Sequence, residues 1–518
     1  QSSTVRLYTV LVAMTFIIVC LTRVIPLFYD FDPWTDEAML IANLAEIDIR
    51  DVFTPLPLFE QAAPLGYMLA ALAVFDIVPD PEHSVTGLRF LSAAASIASA
   101  VLIYAVCRDV ADRSLGVLAV VFLCLTYAGA RYGLEIKHYS FEILATSLLL
   151  FTTYRYYKDR NGVSLQMVAA AAIFAILFSF TAPIVIAASF VPVLLLQAPK
   201  AETKWLDIRM LALSIAMMLV FLVYYFSYTT PVTENQFAGY SHIYHDKALS
   251  AFTFSDLKRL VYLLAQTTWV YGPRNHWPYA FTAIFVLGAV FLLLRARHIL
   301  ASVIIALVFV MALSAANIFP AHSVRHLVFL LPLLSIILAS GIYLIVNDFL
   351  KIFCKRHHLV TLVLTCLVLV PFATVTLIRA NKVDTRQNIS PLLDHVAETS
   401  GVSVPVFVYY GAQPVMRVMA PVALPQIGLV DHRSQVPGWI WQLREYPGSR
   451  TSQAYFDFVQ ATLSDVSDTY LLFTHYWPEI GAGRGGLDRF WQIATDSVGP
   501  CKALDLQGSA ILWRCTRE

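Results

Sequence analysis

Apolar segments of about 20 residues recur along the first 380 residues, each the length a helix needs to cross the hydrocarbon core of a bilayer. They run approximately over 8–28, 86–107, 114–131, 139–157, 165–181, 183–198, 208–228, 278–295, 298–318, 325–346 and 360–379. A soluble domain has no interior for so many: 58% of the 518 residues are hydrophobic and 14% charged, with a mean hydropathy of +0.66. The expected fold class is an α-helical polytopic membrane protein of about eleven spans. The first span is too long, and lacks the small-residue cleavage site, to be only a signal peptide.

Lys and Arg concentrate in cytoplasmic loops, which assigns 107–113, 155–160, 199–209, 295–298 and 351–358 to the inside. The span at 86–107 then starts outside and the first span ends there. The short apolar run "APLGYMLAALAVF" at 63–75 therefore does not cross; it reads as an interfacial helix within a first outer loop, 29–85. A long outer loop covers 229–277, and residues 1–380 form the membrane domain. Residues 381–518 alternate helix-like and strand-like patterns of ordinary polarity, as expected of a small extracytoplasmic α/β domain. Cys501 and Cys515 lie there and are a disulfide candidate in an oxidising compartment. Cys20, Cys107, Cys124, Cys354 and Cys366 sit in or beside apolar segments and read as small buried hydrophobes. A net charge of +1 without a basic tract gives no reason to expect nucleic acid.

This topology collects the unusual polar residues on the outer side. "FYDFDPWTDEAMLIANL" places Asp30, Asp32, Asp36 and Glu37 just after the first span. Acidic residues favour a helix N-terminus for its dipole alone. Four together repel one another, and such crowding points to a cation, a proton or a cationic substrate. The turn "RYGLEIKHYSFE" holds Arg131, Glu135, Lys137 and His138, to be weighed against a solvated turn with a Glu135–Lys137 ion pair. In "HSVRHLVFLLP", Arg325 and His326 open a span from outside, where snorkelling competes with phosphate binding, the chemistry to which Arg is best suited. The long loop adds "YSHIYHDK" and "YGPRNHWP". Interfacial aromatics need no function, yet with Arg274 and His276 they also suit a sugar, which stacks on rings and hydrogen-bonds to polar tips. His242 and His245, three apart, are weak metal-ligand candidates.

The ordered set "TDEAMLIANLAE", "FEQAAPLGYMLAAL", "GLRFLSAAASIASAVLIYAVCRDV", "RYGLEIKHYSFEILATSLLLF" and "RHLVFLLPLLSIILASG" resembles the GT-C superfamily of integral membrane glycosyltransferases over roughly the first 350 residues. The branch it resembles most holds protein O-mannosyltransferases and lipid A aminoarabinose transferase. The resemblance implies a polyprenyl-phosphate sugar donor, a lipid, polysaccharide or protein acceptor, and a bacterial inner membrane with the active site facing the periplasm or cell exterior. It also implies an acidic catalytic residue in the first outer loop, which maps onto Asp36 with Glu37 beside it and Asp32 in reserve. Glu60 maps onto a metal site of the aminoarabinose branch, where a Lys follows; here Gln61 follows, so the cofactor is left open, a divalent metal being the candidate.

The expected chemistry is inverting transfer with Asp36 as base. Arg325, Lys137 and His326 take the donor phosphate, and Asp32, Glu60, Tyr67, Glu135, His138, Arg274 and His276 contact substrate. The competing class is a transporter or flippase, which ordinarily shows internal repeats and midplane charges; neither is evident in the sequence.

Overall fold

The computed structural model describes residues 2–28, 32–59, 61–78, 81–159, 162–196, 207–234, 253–269, 277–349, 357–380, 388–399, 404–408, 412, 414–416, 418, 428–429, 453–464, 466–473, 483–507 and 510–517. Helices occupy all eleven expected spans: α1 (Ser2–Val24), α4 (Pro81–Val110), α5 (Arg113–Cys124), α7 (Tyr139–Asp159), α8 (Gly162–Phe178), α9 (Ala182–Leu195), α10 (Ile208–Tyr224), α12 (Trp277–Arg295), α13 (Arg297–Ala315), α14 (Leu331–Tyr343) and α15 (His357–Ala380). Between them lie α2 (Thr35–Leu44), α3 (Leu65–Ile77), α6 (Tyr127–Tyr132) and α11 (Phe254–Thr267). Six helical segments among the described residues are long and apolar enough to cross a membrane, and shorter apolar helices complete a multi-pass bundle.

Helix α5 is the axis of the bundle. Every side chain from Ser114 to Cys124 is buried, against α1, α4, α14 and α15. Contact between α12 and α14 is backbone to backbone: a Cβ on Gly288 would lie 1.8 Å from the Ile337 carbonyl oxygen, and one on Gly341 2.1 Å from that of Ile284. Small residues permit this close approach, which supplies the packing that lipid cannot drive by hydrophobicity.

A break between α5 and α6 leaves carbonyls that hydrocarbon cannot satisfy. Arg23, fully buried at the end of α1, donates through Nη2 to the Cys124 and Gly129 carbonyls, 2.9 Å each, and through Nε to Ser96 Oγ at 3.0 Å. This one side chain joins α1, α4 and the α5–α6 junction, fixing the turn that follows α6. The start of α3 is held in the same manner: Leu65 N donates to Tyr224 Oη (3.1 Å) and Tyr228 Oη donates to the Ala63 carbonyl (2.8 Å).

The C-terminal region is α/β, with α16 (Ser390–Thr399), β1 (Pro405–Val408), β2 (Gly428–Leu429), α17 (Gln453–Ser464), β3 (Asp468–Phe473), α18 (Gly483–Ser497), β4 (Cys501–Gln507) and β5 (Ala510–Thr516). Its sheet has the order β2-β1-β3-β5-β4, parallel among the first three strands and antiparallel across β5. Alternation along the strands divides the core in two. Phe407, Leu471, Phe473 and Cys515 pack with α17 and α18. Val406, Tyr470, Leu472 and Leu512 join Leu392 and Val396 of α16 in one continuous hydrophobic cluster with Leu40, Leu44, Tyr67 and Met68 of α2 and α3. Cys501 and Cys515 stand opposite each other on β4 and β5 with their sulfurs bonded.

Candidate active site

The first turn of α2 carries two adjacent carboxylates that meet different fates. Nearly all of α2 is buried, so it is not the half-wet helix its acidic start suggests. Glu37 points inward. Its Oε2 accepts from Arg89 Nη2 (3.1 Å) and Trp34 N (3.2 Å), and its Oε1 from Ile136 N (2.8 Å). Both side chains of the Glu37–Arg89 pair are 5% exposed. Asp36 points the other way, 24% exposed, and accepts at Oδ2 from Arg325 Nη1 (3.0 Å), itself 37% exposed. Arg325 is carried by the tight turn Val324–Leu330 that leads into α14.

The α6–α7 turn lies against this pair and is buried rather than solvated. Arg131 Nε donates to Glu135 Oε2 (3.2 Å), Arg131 Nη1 donates to Tyr127 Oη (3.0 Å), and the guanidinium sits 5.3 Å from the Trp34 ring centre. Burial pushes the Glu135 carboxyl up to about 7; Arg131 opposes the rise, and the charges of Glu37 and Asp36 add to it. Lys137, the alternative partner for Glu135, bonds instead to Gln61 Oε1. Burial pulls the Lys137 ammonium below its usual range, while Asp36, Glu135 and Glu37 favour its charge. Gln61 is itself held through Nε2 by the Phe59 carbonyl (3.1 Å), and Phe59 has φ +62°, a left-handed conformation uncommon for a bulky residue. Asn43 of α2 clamps the neighbouring Leu58 through both backbone groups, 2.8 and 2.9 Å.

Other expected site residues make contacts with groups other than this pair. His138 is enclosed by Tyr67, Tyr139 and Phe180, and burial, aided by Lys137, pushes it down to about 3, favouring the neutral ring. Tyr67 is fully buried beneath it. His326 Nδ1 is paired with Ser323 Oγ at 3.0 Å. Asp32 turns away: its oxygens accept from Ile389 N (2.5 Å), Ser390 N (2.8 Å) and Ser390 Oγ (2.5 Å). Asp30, Glu60, His242, His245, Arg274 and His276 lie outside the described residues. Among the described residues no group of three His, Cys, Asp or Glu side chains converges as a metal site.

Two features escaped sequence reasoning. Arg89 is the counter-ion of Glu37, and an Arg one turn inside a span was the available signal. A cavity of about 120 Å³ opens beside Val324, lined by Tyr127, Tyr262, Gln266, Trp269 and Trp277. Tyr127 joins it to the charged cluster through Arg131.

The Dolichyl-phosphate-mannose-protein mannosyltransferase family profile matches residues 63–226, about a third of the chain. No curated protein sequence matches. The fold resembles that of ArnT from Cupriavidus metallidurans bound to undecaprenyl phosphate, at TM-score 0.56 and 10% identity over 98% of this chain and 97% of that one. The apo state of the same protein aligns at TM-score 0.55 and 10% identity over 99% and 98%. The archaeal oligosaccharyltransferase AglB from Archaeoglobus fulgidus, in complex with an inhibitory peptide and a dolichol-phosphate, aligns at TM-score 0.50 and 12% identity over 90% of this chain and 69% of that one.

Proposed function

We propose that this chain, a multi-pass membrane protein with the GT-C glycosyltransferase fold, moves a sugar from a polyprenyl-phosphate donor to an acceptor hydroxyl with inversion at the anomeric carbon. The Asp36–Arg325 pair carries the reading: a carboxylate and a guanidinium, both partly exposed, on a rim beside the sealed Glu37–Arg89 pair and the less exposed Arg131–Glu135 pair. The donor phosphate exchanges onto Arg325, with the buried Lys137 ammonium adding positive charge behind it. This releases Asp36. Asp36 takes the acceptor O–H proton as the acceptor oxygen bonds to the anomeric carbon, and the bond from that carbon to the phosphate oxygen breaks with its electron pair. Polyprenyl phosphate leaves as charge builds on an oxygen faced by fixed cations, the form of stabilisation that is ordinarily largest.

Glu37 is a positioning residue in this scheme. Its oxygens are committed to Arg89 and two backbone amides, which hold the α2 N-terminus against the α6–α7 turn. The aromatic cavity beside Val324 suits a pyranose ring, whose C–H faces pack on Trp and Tyr while Gln266 and the ring tips meet its hydroxyls. The distribution of Lys and Arg along the sequence supports an orientation with this rim on the extracytoplasmic side, and a bacterial inner membrane belongs to the same proposal. Peptide, lipid or polysaccharide acceptors are each compatible with a rim open to water. A divalent ion near Glu60 belongs to the same proposal, and no step above is routed through it.

Purified protein incubated with a panel of polyprenyl-phosphate sugars tests the reading. Release of free polyprenyl phosphate from at least one donor is expected. A protein that binds the donors yet never cleaves them, and instead moves them between leaflets of proteoliposomes, would establish the transport reading in its place.

A further inference from the structure

Helix α16 begins at Ser390. Residue Ile389 precedes Ser390 at the N-terminus, and a side chain of its type cannot accept from the unpaired amides that every helix presents there. The acceptor comes from 357 residues upstream. Asp32 Oδ2 accepts from Ile389 N and Ser390 N, at 2.5 and 2.8 Å, and Asp32 Oδ1 from Ser390 Oγ at 2.5 Å; in return Asp32 N donates to Asn388 Oδ1 at 3.4 Å. Asp32 is 8% exposed, so a carboxylate taken out of water has its oxygens filled from a helix N-terminus, where the dipole favours negative charge.

The joint is next to the chemistry. Pro33 follows Asp32 and restricts the backbone, Trp34 N is pinned to Glu37 and its ring lies beside Arg131, and Asp36 comes next on the first turn of α2. Beneath this short bridge, α2, α3, α16 and one face of the C-terminal sheet share a single hydrophobic cluster. A shift of α16 is therefore passed from Asp32 through the three residues Pro33, Trp34 and Thr35 to Asp36.

We propose that Asp32 is a positioning residue, through which the C-terminal domain holds Asp36 in register with Arg325. The consequence for catalysis rests on the reading of Asp36 as base; the mechanical coupling does not. The C-terminal domain is then a working part of the active site rather than an appended module, and anything that displaces α16, such as a docked acceptor, sets the activity of a rim it does not touch.

The test compares Asp32→Ala, Asp32→Asn, Ser390→Ala and the Asp32→Ala/Ser390→Ala double variant in the full-length protein, with donor kinetics and hydrogen exchange. Asp32→Ala is expected to lower kcat about 30-fold with donor KM changed less than about threefold, since small misplacements of a catalytic group cost up to about 100-fold. Asp32→Asn keeps an acceptor oxygen for the α16 amides and should recover to within about threefold of wild type. The double variant should be no worse than Asp32→Ala. Wild-type kcat in Asp32→Ala, equal losses in the Asn and Ala variants, or losses that multiply in the double variant would each overturn the proposal. If Asp32→Ala does not fold, Asp32→Asn and Ser390→Ala carry the same comparison. Should the wild type cleave no donor, the functional reading fails and exchange decides the coupling alone: Asp32→Ala must speed exchange in both 389–393 and 35–40, and faster exchange confined to the former refutes it.

Discussion

Two ion pairs sit one residue apart on the first turn of α2, and their surroundings assign them opposite tasks. Glu37 and Arg89 are both sealed from water, with the carboxylate oxygens spent on the guanidinium and two amides. Such a pair adds little net stability when formed, yet losing one partner strands the other's charge in a medium that cannot solvate it. Asp36 and Arg325 hold the same separation within 0.1 Å, but at the rim. There water offsets most of the attraction, so the pair is worth about 1 kcal/mol or less and opens easily for a ligand with more charge. In the proposed scheme identical chemistry is structural in one place and available for reaction in the other, and burial decides which.

This contrast predicts variants that separate cleanly. The largest effect on turnover belongs to Asp36→Asn, and Arg89→Met should mirror it on stability. Leaving Glu37 buried without a counter-ion is expected to cost about 3–5 kcal/mol, read as a large drop in unfolding temperature in detergent, whereas Asp36→Asn should leave that temperature within a degree or two. Comparable destabilisation by the two variants would erase the distinction. Next comes Arg325→Ala, expected to raise donor KM about 10- to 100-fold, with Arg325→Lys recovering part of the loss; unchanged donor affinity would remove Arg325 from phosphate binding.

A smaller effect concerns Glu135, which shares the buried side of the cluster. Its carboxyl titrates near 7 in the folded protein against an ordinary value of 4.5, so the native state binds a proton more tightly than the unfolded chain. Its contribution is fully present below about 4.5 and is lost as pH rises through about 7. Replacing it by Gln removes the titration, and stability from pH 5 to 8 should decline less steeply than in the wild type. Parallel stability curves for the two proteins would contradict the burial assigned to Glu135.

The bundle was legible in sequence because hydrocarbon imposes a length and a polarity on every span, and all eleven expected spans are helical. The candidate site was legible as two clusters of opposite sign, one near Asp36 and one near Lys137 and Arg325. Their pairing was not. Arg325 meets Asp36 across 289 residues, and no local pattern encodes such a contact. A Glu135–Lys137 ion pair was the alternative to a phosphate-binding Lys137; burial of the turn let Arg131, one helical turn away, take Glu135 and left Lys137 to Gln61. Arg89 and Arg23 went unremarked because a single Arg near the end of a span usually snorkels. Both instead turn inward, toward a carboxylate and toward orphaned carbonyls. The helices α16, α17 and α18 and the strands β1, β3 and β5 followed from their periodicity; β2 and β4 did not, and the attachment through Asp32 depended on a cap missing from one segment and supplied by another.

The most direct test of the central claim is single-turnover sugar transfer by Asp36→Asn with an accepted polyprenyl-phosphate donor, alongside donor binding and thermal unfolding of the same preparation. Loss of at least about 1,000-fold in rate is expected, with unfolding temperature and donor affinity close to wild type. A rate within about tenfold of wild type would show that Asp36 is not the base.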